Sequence, residues 1–250
     1  MSTQYESLQA ANQYSDVFRV AAPAQPTGRS IWPRQPGVFI CQSAPAQSAL
    51  TADSEAQQIL AANPEASHPE NDVAAAAAEK PSNILRAGQF GLVPRWVKSA
   101  SDAKLRSTKL VNAPSETVTT SNNFRHAWLD GQRCIVPMMA FIEEDWRSGK
   151  AVPTRIARVD GKPMGVAGLW ESWTGADGET IVSYTLLTLN ANNHALISRY
   201  QQPGNEKRMP AILNEGAYEA WLGARPEKAR EFMRAYAANW LLANPVEKGR

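Results

Sequence analysis

The sequence predicts an α+β fold, with a curved, mostly antiparallel, barrel-like sheet and flanking helices. Three observations point to it. From Phe90 onward, short apolar runs follow one another closely, with Gly, Pro, Asn or Asp between many of them. Helix signals lie near both chain ends and at two short segments between. Strands crowd the middle of the chain instead of alternating with helices, and no internal repeat is visible, which favours α+β over a parallel α/β layering.

In chain order, Glu6–Phe18 predicts the first helix, followed by the Pro-rich stretch APAQPTGRSIWPRQPG and the strand-like PGVFIC. Residues 42–83 are rich in Ala, Gln, Ser, Glu and Pro, with five alanines at 74–78, and read as a mobile acidic insertion carrying one short helix at most. The runs FGLVPRW, TKLVNA, QRCIVPMMAFI, TRIARV, PMGVAGLW, TIVSYTLLTL and PAIL read as strands. Asp160–Gly161 between two of them is a two-residue hairpin signal. NNFRHAWLDG predicts a short helix: Asn122 can cap it, Phe124 and Trp128 share a face, and Gly131 closes it. NEGAYEAWLG predicts another. Pro226 then opens a longer helix, with Phe232, Tyr236 and Trp240 on one stripe, giving a helical addition over 226–243.

With 250 residues, 43% of them apolar, and eight Trp, the chain can build a sizeable core, and we expect a single domain over 1–250. No run of 18 apolar residues suggests a membrane span, and no leader-like start is visible. We expect a cytoplasmic protein, associated with the nucleoid if bacterial. Cys41 and Cys134 both sit in apolar settings and read as buried free thiols; neither has the companions of a zinc site, and no metal or cofactor is implied. The net charge of +2 conceals a division: residues 42–83 hold six acids and one base, so the rest of the chain is +7. Residues 86–133 carry eight Lys or Arg against three acids, which suits an anionic partner such as nucleic acid. The acidic insertion suits a protein partner or simple solvation.

Three segments carry residue types suited to chemistry. TKLVNAPSET brings Asn112 to a turn, where its amide can orient a ligand or close an Asx-turn. In QRCIVPMMAFIEEDW, Glu143 follows an apolar run and precedes Glu144 and Asp145. Crowded carboxylates against apolar walls suit a general acid or base; a solvated acidic turn is the alternative. In RYQQPGNEKRMPAIL, Arg208 enters a strand as a phosphate or carboxylate clamp or as part of a charged turn.

FGLVPRW, LVNAPSET, FRHAWLDGQRCIVPMMAFIEE, VAGLWESW, SYTLLTLNAN and EKRMPAIL, taken in this order, resemble the SOS-response-associated peptidase (SRAP) family. The resemblance spans roughly residues 86–222 and the first few residues. It implies a monomeric protein that binds abasic sites in single-stranded DNA and crosslinks to them through its N-terminal residue. In the family that residue is a cysteine exposed by removal of the initiator Met. Its α-amine attacks the ring-opened sugar aldehyde, and its thiol then closes a thiazolidine. An α-amine titrates about 2–3 pH units below a lysine amine, so far more of it is nucleophilic at neutral pH.

Ser2 stands at that place here. The amine survives, but a hydroxyl is a far poorer nucleophile than a thiolate, so the expected product is a labile imine with some strand-cleaving lyase character. By the same resemblance Asn112 orients the N-terminal residue and Glu143 transfers protons. The family's DNA-contacting Arg is Pro114 here, and its active-site His falls on Gln201 or Glu206. Trp96, flanked by Arg95 and Lys98, lies where the family wedges apolar side chains beside the lesion; base contact and core packing both fit it. Trp128, Trp170, Trp173 and Trp221 read as core. Together the changes at the Cys, Arg and His positions imply a diverged copy, either weakened in its chemistry or reduced to a DNA- or protein-binding module.

Overall fold

The computed structural model describes residues 3–43 and 82–246. The elements run β1 (Tyr5–Glu6), α1 (Ala11–Phe18), β2 (Ser30–Ile31), β3 (Pro36–Gln42), β4 (Asn83–Phe90), α2 (Ala100–Ser107), β5 (Asn112–Pro114), α3 (Arg125–Leu129), β6 (Arg133–Met138), β7 (Ala140–Asp145), β8 (Val152–Arg158), β9 (Met164–Thr174), β10 (Thr180–Asn190), β11 (Arg208–Pro210), β12 (Ile212–Leu213), α4 (Tyr218–Leu222), α5 (Pro226–Ala229) and β13 (Leu241–Pro245).

The fold is α+β and the sheets are mostly antiparallel, as the sequence predicts. Strands β10, β4, β3, β6 and β9 pair in a ring that returns to β10, closing a five-stranded barrel. Closure removes the exposed edges that a strand-rich chain must otherwise protect. One edge of β10 takes β4 and then β5, both parallel; the other takes β9 and then β11, both antiparallel. A second sheet, in the order β13-β8-β7-β1-β2, lies beside it. Phe39, Phe90, Tyr184 and Trp170 pack ring on ring in the barrel interior. Trp128, Trp173 and Trp221 are fully buried, while Trp170 is half-buried beneath the Arg86 guanidinium. Both cysteines are buried and free.

Several expected elements differ. The first helix starts at Ala11, because Tyr5 and Glu6 are drawn into a strand between β7 and β2. FGLVPRW is not a strand: β4 ends at Phe90, and Gly91 turns the chain with φ of +109°. The unanticipated α2 follows, capped by the Ser99 hydroxyl, which accepts from the Asp102 N–H. Asn112 opens a strand, with Ala113 and Pro114 continuing it, so they do not form the expected turn. QRCIVPMMAFI is two strands that break at Met139 and belong to different sheets. Asp160–Gly161 is a turn but not a hairpin, since β8 and β9 are in different sheets. Asn122 does not cap α3; its backbone carbonyl accepts from the Trp96 indole.

The predicted helical addition over 226–243 is also corrected. Helix α5 covers Pro226–Ala229, a 3-10 turn follows over Arg230–Phe232, and β13 adds to the open edge of β8. With no α-helix beyond Ala229 among the described residues, Phe232, Tyr236 and Trp240 do not form the expected stripe. Phe232 packs edge-on against Trp221 at 5.7 Å, the Tyr236 carbonyl meets His194, and Trp240 is exposed, while its neighbour Leu241 is buried. Of the acidic insertion expected over 42–83, residues 44–81 lie outside those described; Gln42 and Asn83, placed in it by the sequence, instead pair across β3 and β4.

Candidate active site

Strand β7 carries the acids that the sequence placed after a strand. Period-two alternation puts Glu143 on the buried face with Phe141, while Glu144 points to solvent. Glu143 is 3% exposed. The N-terminal segment lies along β7: the Ile142 N–H donates to the Gln4 carbonyl at 3.1 Å, and Tyr5 pairs with Phe141. Beside them opens a cleft of about 590 Å³. Thr3, Gln4 and Trp32 line one part of it, Ile142, Glu143, Glu144 and Pro153 another, and Gln201, Gln202, Asn205, Glu206 and Arg208 the rest.

The third wall is tightly wired. Gln201 is buried with φ of +67°, and its N–H donates to the Glu144 carbonyl at 2.7 Å. Its side-chain amide donates to the Arg208 carbonyl at 2.6 Å and accepts from the Arg208 N–H at 3.1 Å. Both the nitrogen and the oxygen of that amide are engaged, which suits a clamp, and a carboxamide does not transfer protons at neutral pH. The Arg208 guanidinium is buried between Glu116 and Glu206. Lys207 turns its ammonium back onto the Gln201 and Gln202 carbonyls. The ionisable residues lining the cleft are Glu143, Glu144, Glu206 and Arg208, and the arginine is already paired with Glu206 and Glu116.

The other sequence-predicted residues lie elsewhere or outside the described residues. Ser2 is outside them; the residue after it, Thr3, lines the cleft. Asn112 is buried at the head of β5 opposite Leu186 of β10, and Pro114 pairs with Thr188; neither lines the cleft. Arg95 forms ion pairs with Glu171 at 3.1 Å and Asp130 at 2.8 Å, so its charge is spent within the chain. Trp96 is 39% exposed, stacks under Arg106 at 4.7 Å, and borders a separate hollow with Asn122 and His126. Lys98 is exposed. His194 accepts two backbone N–H groups at Nδ1, which leaves Nε2 to donate to Tyr236 O at 2.7 Å. Sequence reasoning missed Trp32, Thr3 and Gln4 in the cleft; an exposed Trp in a Pro-rich stretch was the available signal for the first.

Residues 7–249 match the SOS response associated peptidase (SRAP) family, and the chain belongs to that family. Among solved structures, it is similar to a Bordetella bronchiseptica protein at 34% identity and a TM-score of 0.79, over 99% of this chain and 100% of that one. Among curated relatives, the abasic site processing protein YoqW of Bacillus subtilis is 28% identical over 169 residues, 66% of this chain and 70% of the relative. The abasic site processing protein HMCES of Gallus gallus is 27% identical over 177 residues, 63% of this chain and 50% of the relative. No helix among the described residues is long and apolar enough to cross a membrane.

Proposed function

We propose that this chain acts on abasic sites in single-stranded DNA through the α-amine of Ser2, freed by removal of Met1. One observation carries the reading: Thr3, the residue after Ser2, lines the cleft that holds the buried Glu143. The amine adds to the sugar aldehyde, giving a carbinolamine. Loss of water then gives an iminium, and that step needs a proton delivered to the departing hydroxyl. Glu143 is the group we assign to that transfer, with Glu206 as a second acid on the same cleft. The surrounding carboxylates stabilise the iminium cation and disfavour phosphates, so the strand's backbone is held by cations outside the cleft. The Ser2 hydroxyl can close an oxazolidine, which reopens and hydrolyses more readily than a thiazolidine. The amine and the carboxylates of one copy of the chain, with the aldehyde of the abasic site, suffice for this sequence of steps. We read residues 1–250 as one such domain, and the acidic composition of residues 42–83 as suited to a protein partner.

Borohydride trapping with abasic single-stranded DNA tests the reading. The expected product is a reduced adduct mapped to the N-terminal peptide, and Ser2→Cys should give an adduct that survives heating without borohydride. Absence of any trapped N-terminal adduct from a chain shown by mass spectrometry to lack Met1 sinks the covalent reading. A binding module without chemistry is the second reading, favoured by Ser2, Pro114 and Gln201 or Glu206 at the places of the family's Cys, Arg and His. It predicts salt-dependent binding to single strands with no preference for the lesion.

A further inference from the structure

We infer that Glu116 is a positioning residue: through the buried Arg208 guanidinium it sets the aim and proton affinity of Glu206 on the cleft that Glu143 also lines. This rests on the proposed amine chemistry and extends it to a residue outside the cleft.

Arg208 is 8% exposed at its side chain, whereas Glu116 and Glu206 are each about half exposed, at 48% and 52%. Its Nη2 donates to Glu116 Oε2 at 2.6 Å and to the Thr188 carbonyl at 2.8 Å. Nε donates to Thr188 Oγ1 at 3.1 Å, and Nη1 donates to Glu206 Oε1. One cation thus serves two anions, and the ionisation of each depends on the other. Asn190, opposite Arg208 in the β10–β11 register, makes a second bridge. Its backbone N–H donates to Glu116 Oε1 at 3.1 Å and its side-chain amide to Glu206 Oε1 at 3.0 Å.

The arginine cannot swing toward a phosphate without breaking these bonds, and the Gln201 clamp fixes its backbone. Burial raises the Glu116 carboxyl, but hydrogen bonds from Arg208 and backbone N–H groups outweigh it, so Glu116 titrates below the ordinary range and stays anionic at neutral pH. The charged groups around Glu206 are Arg208 in contact, Glu116 behind it, Lys207 turned toward backbone carbonyls, and Glu143 and Glu144 of β7 on the same cleft.

The experiment reads the pH profile of borohydride trapping for the full chain and for Glu116→Gln. The amide keeps the shape and removes the competing anion, so Glu206 binds its proton less tightly. The alkaline limb, where Glu206 loses the proton it would donate, is expected to move down by about half a pH unit or more. Glu116→Asp keeps the charge and should leave that limb in place even where the rate falls. A slower Glu116→Gln with an unmoved limb overturns the assignment. Carboxyl-carbon NMR titration of Glu206 without DNA runs alongside, so that failure of the wild type to trap removes the amine reading alone. In that case, or where Glu116→Gln folds too poorly to trap, Glu206 is titrated in Glu116→Gln or, failing that, Glu116→Ala. An altered Glu206 midpoint supports the wiring and an unchanged one overturns it.

Discussion

The phenol oxygens of Tyr5 and Tyr184 share a buried hydrogen bond at 2.5 Å, directly over Gly37. A methyl group at Gly37 would lie 2.1 Å from the Tyr184 oxygen and 2.7 Å from that of Tyr5. Tyr5 also packs edge-on against Phe90 at 5.3 Å. This pair pins the chain three residues after Ser2, so the registry of the N-terminal segment along β7 depends on the barrel interior.

Tyr5→Phe should keep the ring packing but leave the Tyr184 hydroxyl without its partner, at a cost of about 1–3 kcal/mol measured by denaturant unfolding. The pH dependence has a definite sign. Burial pushes both phenols above the ordinary value of 10. The folded state therefore holds more protons than the unfolded chain above pH 10, and stability falls as pH rises from there. Tyr5→Phe should flatten that alkaline loss; an unchanged slope contradicts the account.

Gly91 is buried, and Gly91→Ala should be among the more damaging loop changes. Its φ of +109° is costly for any side chain, and the new methyl would lie 2.2 Å from the Ser107 carbonyl oxygen. A loss of about 2–4 kcal/mol is expected. A thermal melt within a degree of wild type would show that the α2 end yields easily.

The same glycine shows what the sequence could and could not disclose. Composition and apolar runs identified the strand-rich middle, and β8, β9 and β10 follow the quoted segments closely. Glu143 was legible as unusual because carboxylates rarely follow so apolar a run. Period alone could not show that FGLVPRW leaves the sheet at Gly91, since that depends on a backbone turn. Nor could it show that Leu241–Pro245 pairs with β8, since strand addition satisfies an edge that only the folded sheet presents. Arg95 and Arg208 looked like free cations because Glu171, Asp130 and Glu116 lie 35 to 92 positions away in the chain.

Arg133 is 1% exposed and lies between Trp128 and Trp221, with its guanidinium carbon 5.2 and 5.5 Å from the two rings. Loss of solvation pushes its pKa down to about 10, and the indole faces replace a carboxylate as its main company. Arg133→Met should be neutral or more stable by about 1–2 kcal/mol, because it ends the desolvation cost while filling the space. Arg133→Ala should lose about 2–4 kcal/mol by opening a cavity between the tryptophans. Denaturant midpoints separate the two; equal losses would show that the charge itself is needed.

Glu143→Gln keeps the shape of the cleft and removes its buried acid. The rate of borohydride trapping should fall about 100-fold, with the melting temperature little changed. Equal rates would move the proton transfer to Glu206.

Arg95 and Lys98 are close in sequence but should behave differently. The Arg95 guanidinium is held by Glu171, whose side chain is 5% exposed, and by Asp130 and Gln132. Removing Arg95 leaves the Glu171 carboxylate buried with its main counter-charge gone. Because the arginine is itself 41% exposed, solvent screens part of that loss, and Arg95→Ala should cost about 1 kcal/mol. Its effect on DNA affinity should be small, since its charge is already neutralised within the chain. Lys98 is exposed in the loop before α2. If DNA runs past Trp96, Lys98→Ala should leave stability unchanged and lower the slope of log affinity against log salt by about 1. Binding isotherms on single strands at several salt concentrations, paired with melts of both variants, read the two effects separately. A lower salt slope in Arg95→Ala and none in Lys98→Ala would reverse the assignment and mean that DNA displaces Glu171 from its arginine.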